Sequence, residues 1–399
     1  MTRILLTDGD QRSTLAAVRA LGRGGYEVFV AESSAGSLAS RSRQCRGTVV
    51  YPSPYDDESG FVDALDGAAT RLGIDLVLPM TDITSAVLAE HRDAFESRVR
   101  VAVPDAATFW RASDKNELHR LADRLGVPTP TTQYIERGER PQTAGTPVPC
   151  VIKPARSRVR ADAGWVKTAV LRADSADEAT SLLRSRPELR YGCMIQRVVE
   201  GDGVGLFALC DRGEPRLLFA HRRLREKPPW GGVSVLREAV AIDPVAADFA
   251  TRLLRALNWH GVAMVEFKRD RVTGVPILME VNARFWGSLQ LAIDAGVNFP
   301  VAAVKLWLGE PVAAQNTYRV GVRSRWLLGD LDHLLLRMFG NGPAPPDAPA
   351  LPALLFDFCR FLRRDTRYEV ESWSDPGPSL YEIRAYASNL FRTHGRASH

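Results

Sequence analysis

Short apolar runs alternate with amphipathic helical stretches over the first hundred residues. RILLT (3–7), YEVFVAE (26–32), DLVLPM (75–80) and RVAVPD (100–105) read as strands. RSTLAAVRALGRGG reads as a helix ended by Gly24 and Gly25. Uniformly apolar strands separated by helices predict a parallel sheet covered on both faces. The region 1–105 is therefore expected to be Rossmann-like. Its first strand runs into TDGDQRS, without the glycine fingerprint of dinucleotide binding, so Glu32 at the end of the second strand is not read as a ribose ligand.

From residue 113 the pattern changes. SDKNELHRLADRLG predicts a helix capped by Asp114, with Glu117 placed to complete a capping box, and GVPTP stops it. VPCVIKPA (148–155) is a short apolar strand holding one lysine, Lys153. RSRVRADAGWVK (156–167) has no apolar period and predicts a flexible basic loop. GCMIQRVVEGDGVG (192–205) is a strand leading into glycines. FALCDRGEPRLLFAHRRL predicts a hairpin turning at Asp211-Arg212-Gly213, and VAMVEFKRDRVTGVPILMEVNARF another turning at Thr273-Gly274. This half of the chain is expected to be antiparallel, an α+β arrangement after the α/β start. From 311 the chain is proline-rich and less regular, with NGPAPPDAPALP (341–352) read as a linker or loop.

Composition narrows the class. With 399 residues, 45% hydrophobic and 25% charged, the chain suits a soluble globular protein of two or three domains. No apolar stretch reaches the roughly 18 residues of a spanning helix, and Asp8 and Asp10 interrupt any signal peptide, so a cytoplasmic protein without a membrane partner is expected. Five scattered cysteines without a CxxC fit free thiols, neither a disulfide framework nor a zinc site. The net charge of +5 is carried mostly by arginine, because only six lysines are present. No basic run interleaved with aromatics points to nucleic acid.

The segment ILMEVNARFWGSLQ (277–290) carries the chemistry. Glu280, Asn282 and Arg284 recur at every second position, which places them on one face of an otherwise apolar strand. Such a row is costly unless it holds something. Glu266 lies on the preceding strand of the same hairpin and can share that face. Two carboxylates and an amide oxygen form a hard oxygen site suited to magnesium, which usually takes its remaining ligands from water and substrate phosphates. Arg284 is placed to meet an anion beside the metal. His221, Arg222 and Arg223 read either as a polar strand face or as groups approaching phosphates or an acid substrate, with Arg225, Lys227 and Arg237 close in sequence.

In order along the chain, Lys115 in SDKNEL, Lys153 in VIKPA, the loop after it, IQRVVEGDG, Glu266 and MEVNARFWGS resemble the ATP-grasp superfamily. EVNARFWGS and AHRRLREKPPWGG further resemble bacterial ATP-grasp carboxylate–amine ligases. The resemblance implies a Rossmann-like pre-ATP-grasp domain (1–110), a two-subdomain ATP-grasp fold (111–190 and 191–310) and a C-terminal extension (311–399). It implies ATP as cosubstrate, with magnesium or manganese. Lys115 and Lys153 would contact phosphates, and Gln196, Arg197, Val198 and Val199 would form the adenine hinge. Asp202 would hold the ribose, with Glu200 as the competing choice. Glu266, Glu280 and Asn282 would hold the metal, and Arg284, with His221 and Arg223, would act on the reacting groups. The 156–167 loop would cover the phosphates. The implied activity joins a small carboxylate to an amine through an acyl-phosphate, in a chain compatible with a homodimer. An ATP-binding regulator without turnover, and carboxyphosphate chemistry with bicarbonate, are the alternatives.

Overall fold

The structure is a computed structural model describing residues 1–95, 99–139, 147–161, 164–340, 342 and 348–396. The first region holds β1 (Arg3–Leu6), α1 (Arg12–Arg23), β2 (Glu27–Glu32), β3 (Cys45–Val50), α2 (Glu58–Leu72), β4 (Leu76–Leu78), α3 (Asp82–Glu90) and β5 (Arg100–Val101). All five strands are parallel, in the order β3-β2-β1-β4-β5. The half-exposed edge strand β3 gave no apolar run in the sequence, which is why it was not expected.

Next come α4 (Ala106–Ser113) and α5 (Lys115–Arg124), each capped by an aspartate, Asp105 and Asp114. The chain continues through β6 (Thr132–Ile135), β7 (Cys150–Pro154), β8 (Arg158–Ala161), β9 (Gly164–Lys167), β10 (Leu171–Ala173), α6 (Ala176–Ser185) and β11 (Cys193–Arg197). A small antiparallel sheet forms in the order β10-β7-β11-β6.

The rest is β12 (Gly201–Asp211), β13 (Glu214–Lys227), β14 (Val233–Ala239), α7 (Pro244–Ala256), β15 (Gly261–Asp270), β16 (Pro276–Asn282), α8 (Leu289–Ala295), α9 (Phe299–Leu308), β17 (Arg323–Arg325), α10 (Leu327–Phe339), α11 (Leu351–Phe358), β18 (Thr366–Tyr368) and α12 (Gly377–Arg396). Seven strands make one large sheet, β16-β15-β12-β13-β14-β17-β18. Arg212 and Gly213 both take positive φ, 50° and 87°, as a two-residue hairpin between β12 and β13 requires. The region after 311 is no detached tail, because β17 and β18 extend the large sheet beyond β14.

Alternation along the large sheet separates its two faces. Leu206, Ala208, Ala220, Val265 and Phe267 pack with α4, α5 and α7. Phe207, Leu209, Phe219 and Met264 pack with α1, α8 and α9. By the same alternation Glu266, two residues from Met264, lies on the second face, and both clusters continue into the parallel sheet. Among the described residues no single helix is long and apolar enough to cross a membrane.

The expected loop at 156–167 is instead the hairpin β8–β9, whose residues 162–163 lie outside the described set. It is docked on the first region. Arg160 reaches Glu58 at 2.8 Å and Glu90 at 2.7 Å, and Trp165 Nε1 donates to Glu58 at 2.8 Å. Val159 is buried and Trp165 stacks on Trp110. Its arginines hid the alternation because their partners lie about a hundred residues upstream. Glu58, Glu90 and His91 form an acid–histidine cluster, but Arg160, Trp165 and His91 already engage its carboxylates.

The start of β12 is sterically constrained. Gly201 has φ +148°, and a Cβ there would overlap the Arg269 carbonyl oxygen, whereas one on Gly203 would meet nothing within 4 Å. Gly201→Ala is expected to destabilise the protein by about 2 kcal/mol or more, and Gly203→Ala by less than about 1 kcal/mol. Urea unfolding of the two variants checks this, and equal midpoints would contradict it.

Candidate active site

The hairpin β15–β16 sets Glu266 directly opposite Glu280, with a bulge just after Glu266. Asn282 Nδ2 lies between them and donates to Glu266 Oε1 and to Glu280 Oε1, both at 3.2 Å. Lys115, at the start of α5, brings Nζ to 3.4 Å from Glu280 Oε2. Lys153 on β7 stands behind, its Nζ 3.9 Å from Met279 Sδ. Burial works against ionising Glu280, but Lys115 and Lys153 outweigh it and hold its carboxyl down at about 2. Glu266 goes the other way, raised by burial and by the charge of Glu280. Burial also depresses the Lys153 ammonium to about 8.

Arg284 extends the row. Its guanidinium is held by three partners and still lines the cavity beside the carboxylates. Nε and Nη2 meet the two oxygens of Asp82 at 2.9 and 3.4 Å, Nη1 donates to the Phe285 carbonyl at 2.9 Å, and Nη2 also donates to Asn282 Oδ1 at 3.1 Å. Asp82 opens α3, so the first region fixes this arginine from across the cleft. Burial opposes the charge on Arg284, and Asp82 more than restores it. Arg223 on β13 reaches Glu266 and Glu226, each at 3.1 Å.

The expected adenine hinge joins the two sheets. Gln196 and Arg197 end β11, and Val198 to Glu200 lead to β12. Lys268 Nζ donates to the Val199 carbonyl at 3.1 Å and tightens this link. The Gln196 side chain is turned into the core, where Nε2 meets Thr132 Oγ1 at 3.0 Å and His119 Nδ1 at 3.2 Å. Burial lowers His119 to about 4, so it stays neutral and faces the Met279 carbonyl. Asp202 is exposed on β12 and, by alternation, on the opposite face from Gly203 and Gly205, which share the side of Glu266. It is not brought to the carboxylate row. Glu200 is likewise exposed.

A cavity of about 190 Å³ opens beside the carboxylates, lined among others by Arg12, His221, Arg223, Arg237, Trp286 and Ser288. His221 is buried against Phe207, with ring centroids 4.7 Å apart, and meets Ser288 Oγ at 2.9 Å. Burial and the nearby Arg237 and Arg223 keep it neutral, so it can serve this cavity by hydrogen bonding but not by charge. Arg222 lies outside, paired with Glu238. Arg225 and Lys227 are taken up by Asp330, Asp357 and Asp332 of the C-terminal helices. Gly232 of the WGG turn does line the cavity. The sequence reading missed Asp82, Arg12 and Lys268. Only their partners in space mark them, and no local motif carries that information.

Residues 193–329 match the family described as ATP-grasp in the biosynthetic pathway with Ter operon. The fold is ATP-grasp. Similar solved structures include L-amino acid ligase from Bacillus licheniformis, at 17% identity over 81% of this chain and 78% of that one, with TM-score 0.63. N5-carboxyaminoimidazole ribonucleotide synthetase from Thermus thermophilus is 22% identical over 81% of each chain, with TM-score 0.58. Biotin carboxylase from Campylobacter jejuni, in a β,γ-ATP complex, is 13% identical over 80% of this chain and 74% of that one, with TM-score 0.62. No curated protein sequence matches the chain. In ATP-grasp terms, β7 and β11 belong to the small sheet and β12, β15 and β16 to the large one.

The two carboxylates should differ in metal-free stability. A carboxyl held at about 2 stabilises the fold above the usual carboxylate range and loses that contribution only as pH falls toward 2. A raised carboxyl such as Glu266 is strained when ionised, and protonation relieves it. Glu280→Gln, which leaves Lys115 and Lys153 facing each other without a counter-charge, should cost about 1–3 kcal/mol. Glu266→Gln should cost less than about 1 kcal/mol or stabilise slightly. Thermal melts in EDTA at pH 7 read the difference, and the reverse order would contradict the electrostatic assignment.

Proposed function

We propose that the chain is an ATP-dependent ligase that activates a small carboxylic acid as an acyl-phosphate and passes the acyl group to an amine. The observation that carries this reading is a row of two carboxylates, an amide and a locked guanidinium that lines one cavity, with two lysines set against the carboxylates.

Glu266, Glu280 and Asn282 are the residues that would hold magnesium. Their all-oxygen donor set fits once the Asn282 amide rotates to turn Oδ1 toward the carboxylates. When bound, the ion would offset charge on the phosphates and polarise the transferring group. Lys115 and Lys153 would draw the phosphates into the cleft between the sheets, with the adenine against the 196–199 link. The acid's carboxylate oxygen would attack the γ-phosphorus. An O–P bond forms, the β–γ bridge breaks, and ADP leaves. Arg284 would face the charge that develops on the transferring group, and because Asp82 and the Phe285 carbonyl already fix its fork, little reorganisation would be needed. The amine nitrogen would then attack the acyl carbon, releasing phosphate and one proton. Product would be an amide. Arg223, paired with Glu266 in the resting protein, would be freed toward the acid once that carboxylate turned to the ion.

ADP release with pooled amino acids and hydroxylamine, with and without bicarbonate, tests the reading. Magnesium-dependent ADP and hydroxamate formation that needs no bicarbonate is expected, and Glu280→Gln should abolish it. Turnover that depends on bicarbonate would overturn the ligase assignment in favour of carboxyphosphate chemistry. ATP binding with no turnover under any pool would leave a nucleotide-binding regulator. Asp82→Asn, which keeps a hydrogen bond but removes the charge that seats Arg284, should lower kcat about 10- to 100-fold with ATP affinity within a few-fold. An unchanged kcat would remove Asp82 from the positioning role.

A further inference from the structure

The polar row does not stop at the carboxylates. Register carries it across the large sheet, Glu280 opposite Glu266, Glu266 opposite Gly205, Gly205 opposite His221, and, one alternation along, Arg223 opposite Arg237. Glu266 and Arg237 are three strands and one alternation apart, roughly 16 Å between backbones. Gly205, midway, has no side chain, and a Cβ there would press on the Phe207 ring at 3.2 Å and on Met264 Cε at 3.4 Å. The row is thus polar at both ends, with Phe207 and Met264 packed over Gly205 between them, and one cavity is lined by residues of both ends.

The far end is built by segments distant in sequence. Arg12 of α1 and Arg237 of β14 both pair with Glu369, which follows β18 and also accepts from Ser324 Oγ at 3.2 Å. The Arg237 and Glu369 side chains are each 1% exposed. Two guanidinium groups therefore share one carboxylate in a wall almost closed to solvent. Burial pushes Glu371 up to about 7, and it raises Glu382, which accepts from Trp326 Nε1 beneath Arg12. Two donors on cavity-lining residues, Arg237 Nε and Trp286 Nε1, have no hydrogen-bond partner in the protein. Two buried guanidinium groups that share one carboxylate are a costly arrangement, and an anion in the cavity they line offsets it.

We propose that the acid substrate is dianionic: one carboxylate is presented at the Glu266–Glu280 end for activation, and a second acidic group, carboxylate or phosphate, is held at the far end by Arg12 and Arg237. This rests on the reading of the cavity as the acid site. A monocarboxylic acid with an apolar tail would leave the far-end donors unmet, and sites built to hydrogen-bond a substrate group reject analogues lacking it.

The experiment pairs acids that differ in the second acidic group, glutarate with valerate, glutamate with norvaline, and phosphoserine with serine. ADP and hydroxamate formation are measured on the full chain with ATP and magnesium. Binding of each acid is measured by calorimetry with a non-hydrolysable ATP analogue. The dianionic members are expected to show KM or Kd values at least tenfold lower, and the carboxylate and phosphate arms separate the two sources of the second charge. Arg12→Gln should collapse the preference to within about twofold. Arg12→Lys, which keeps the charge and the Glu369 pair, should retain most of it, and melting curves verify that both variants are folded. Equal affinity for the two members of each pair, or a preference untouched by Arg12→Gln in folded protein, overturns the proposal. Selective dianion binding without any turnover would instead sustain this proposal and overturn the ligase reading.

Discussion

Two carboxylates opposite one another on adjacent strands are the constraint around which the molecule is arranged. Glu266 and Glu280 face each other in the β15–β16 ladder, a position where like charges repel and burial sharpens the repulsion. The hairpin itself places the neutral Asn282 amide between them, and the charge that offsets the cost comes from elsewhere: Lys115 from the start of α5, Lys153 from the small sheet and Arg223 from β13. The resting protein settles the conflict unevenly, one carboxyl driven far down and the other up. A divalent cation suits such a site because it supplies the charge that the side chains only approximate.

The same constraint ties the first region to the sheets. Arg284 cannot lie beside two acids and also keep one orientation unless something else holds it, and Asp82 at the start of α3 does so with both oxygens. An aspartate in the first turn of a helix is favoured by the helix dipole in any case, so the clamp costs the first region little. The docked β8–β9 hairpin makes a second tie, through Arg160 and Trp165 to Glu58 and Glu90. Cleft geometry thus depends on ion pairs that cross between regions, which are selective for distance in a way apolar packing is not.

The chemistry was legible where it was local. The period of two in Glu280-x-Asn282-x-Arg284, and the hairpin turn at Thr273-Gly274 that brings Glu266 alongside, let the carboxylate pair be foreseen from the chain alone. Lys153 stood out as a lone charge in an apolar strand. The parallel sheet of the first region and the antiparallel second half were readable for the same reason, apolar period. Strand β14 was not, because VSVLREA is short and its buried Arg237 reads as a surface residue until Glu369, 132 residues later, is seen to meet it. Nor was the role of Asp82, whose partner lies 202 residues away. The arginines of 156–167 suggested a loop because their anchors, Tyr55, Glu58 and Glu90, belong to another region.

The C-terminal segment illustrates how an added piece can define a pocket without touching the reacting groups. Strand β17 pairs with β14 and β18 with β17, so the large sheet gains two strands beyond the position of Arg237. Had β14 been the edge, Arg237 would face solvent and hold an ordinary hydrated charge. Covered instead by Ser324 and Glu369, it becomes a buried cation with only a shared counter-ion. Burial lowers its pKa to about 10, still well above neutral pH, so the charge persists. Arg12 reaches the same carboxylate from the first region and lies 3.6 Å over the Trp326 ring, a contact that holds its guanidinium in place where a lysine ammonium would be freer. The end of the cavity opposite the carboxylates is thus closed jointly by the first region and the C-terminal segment.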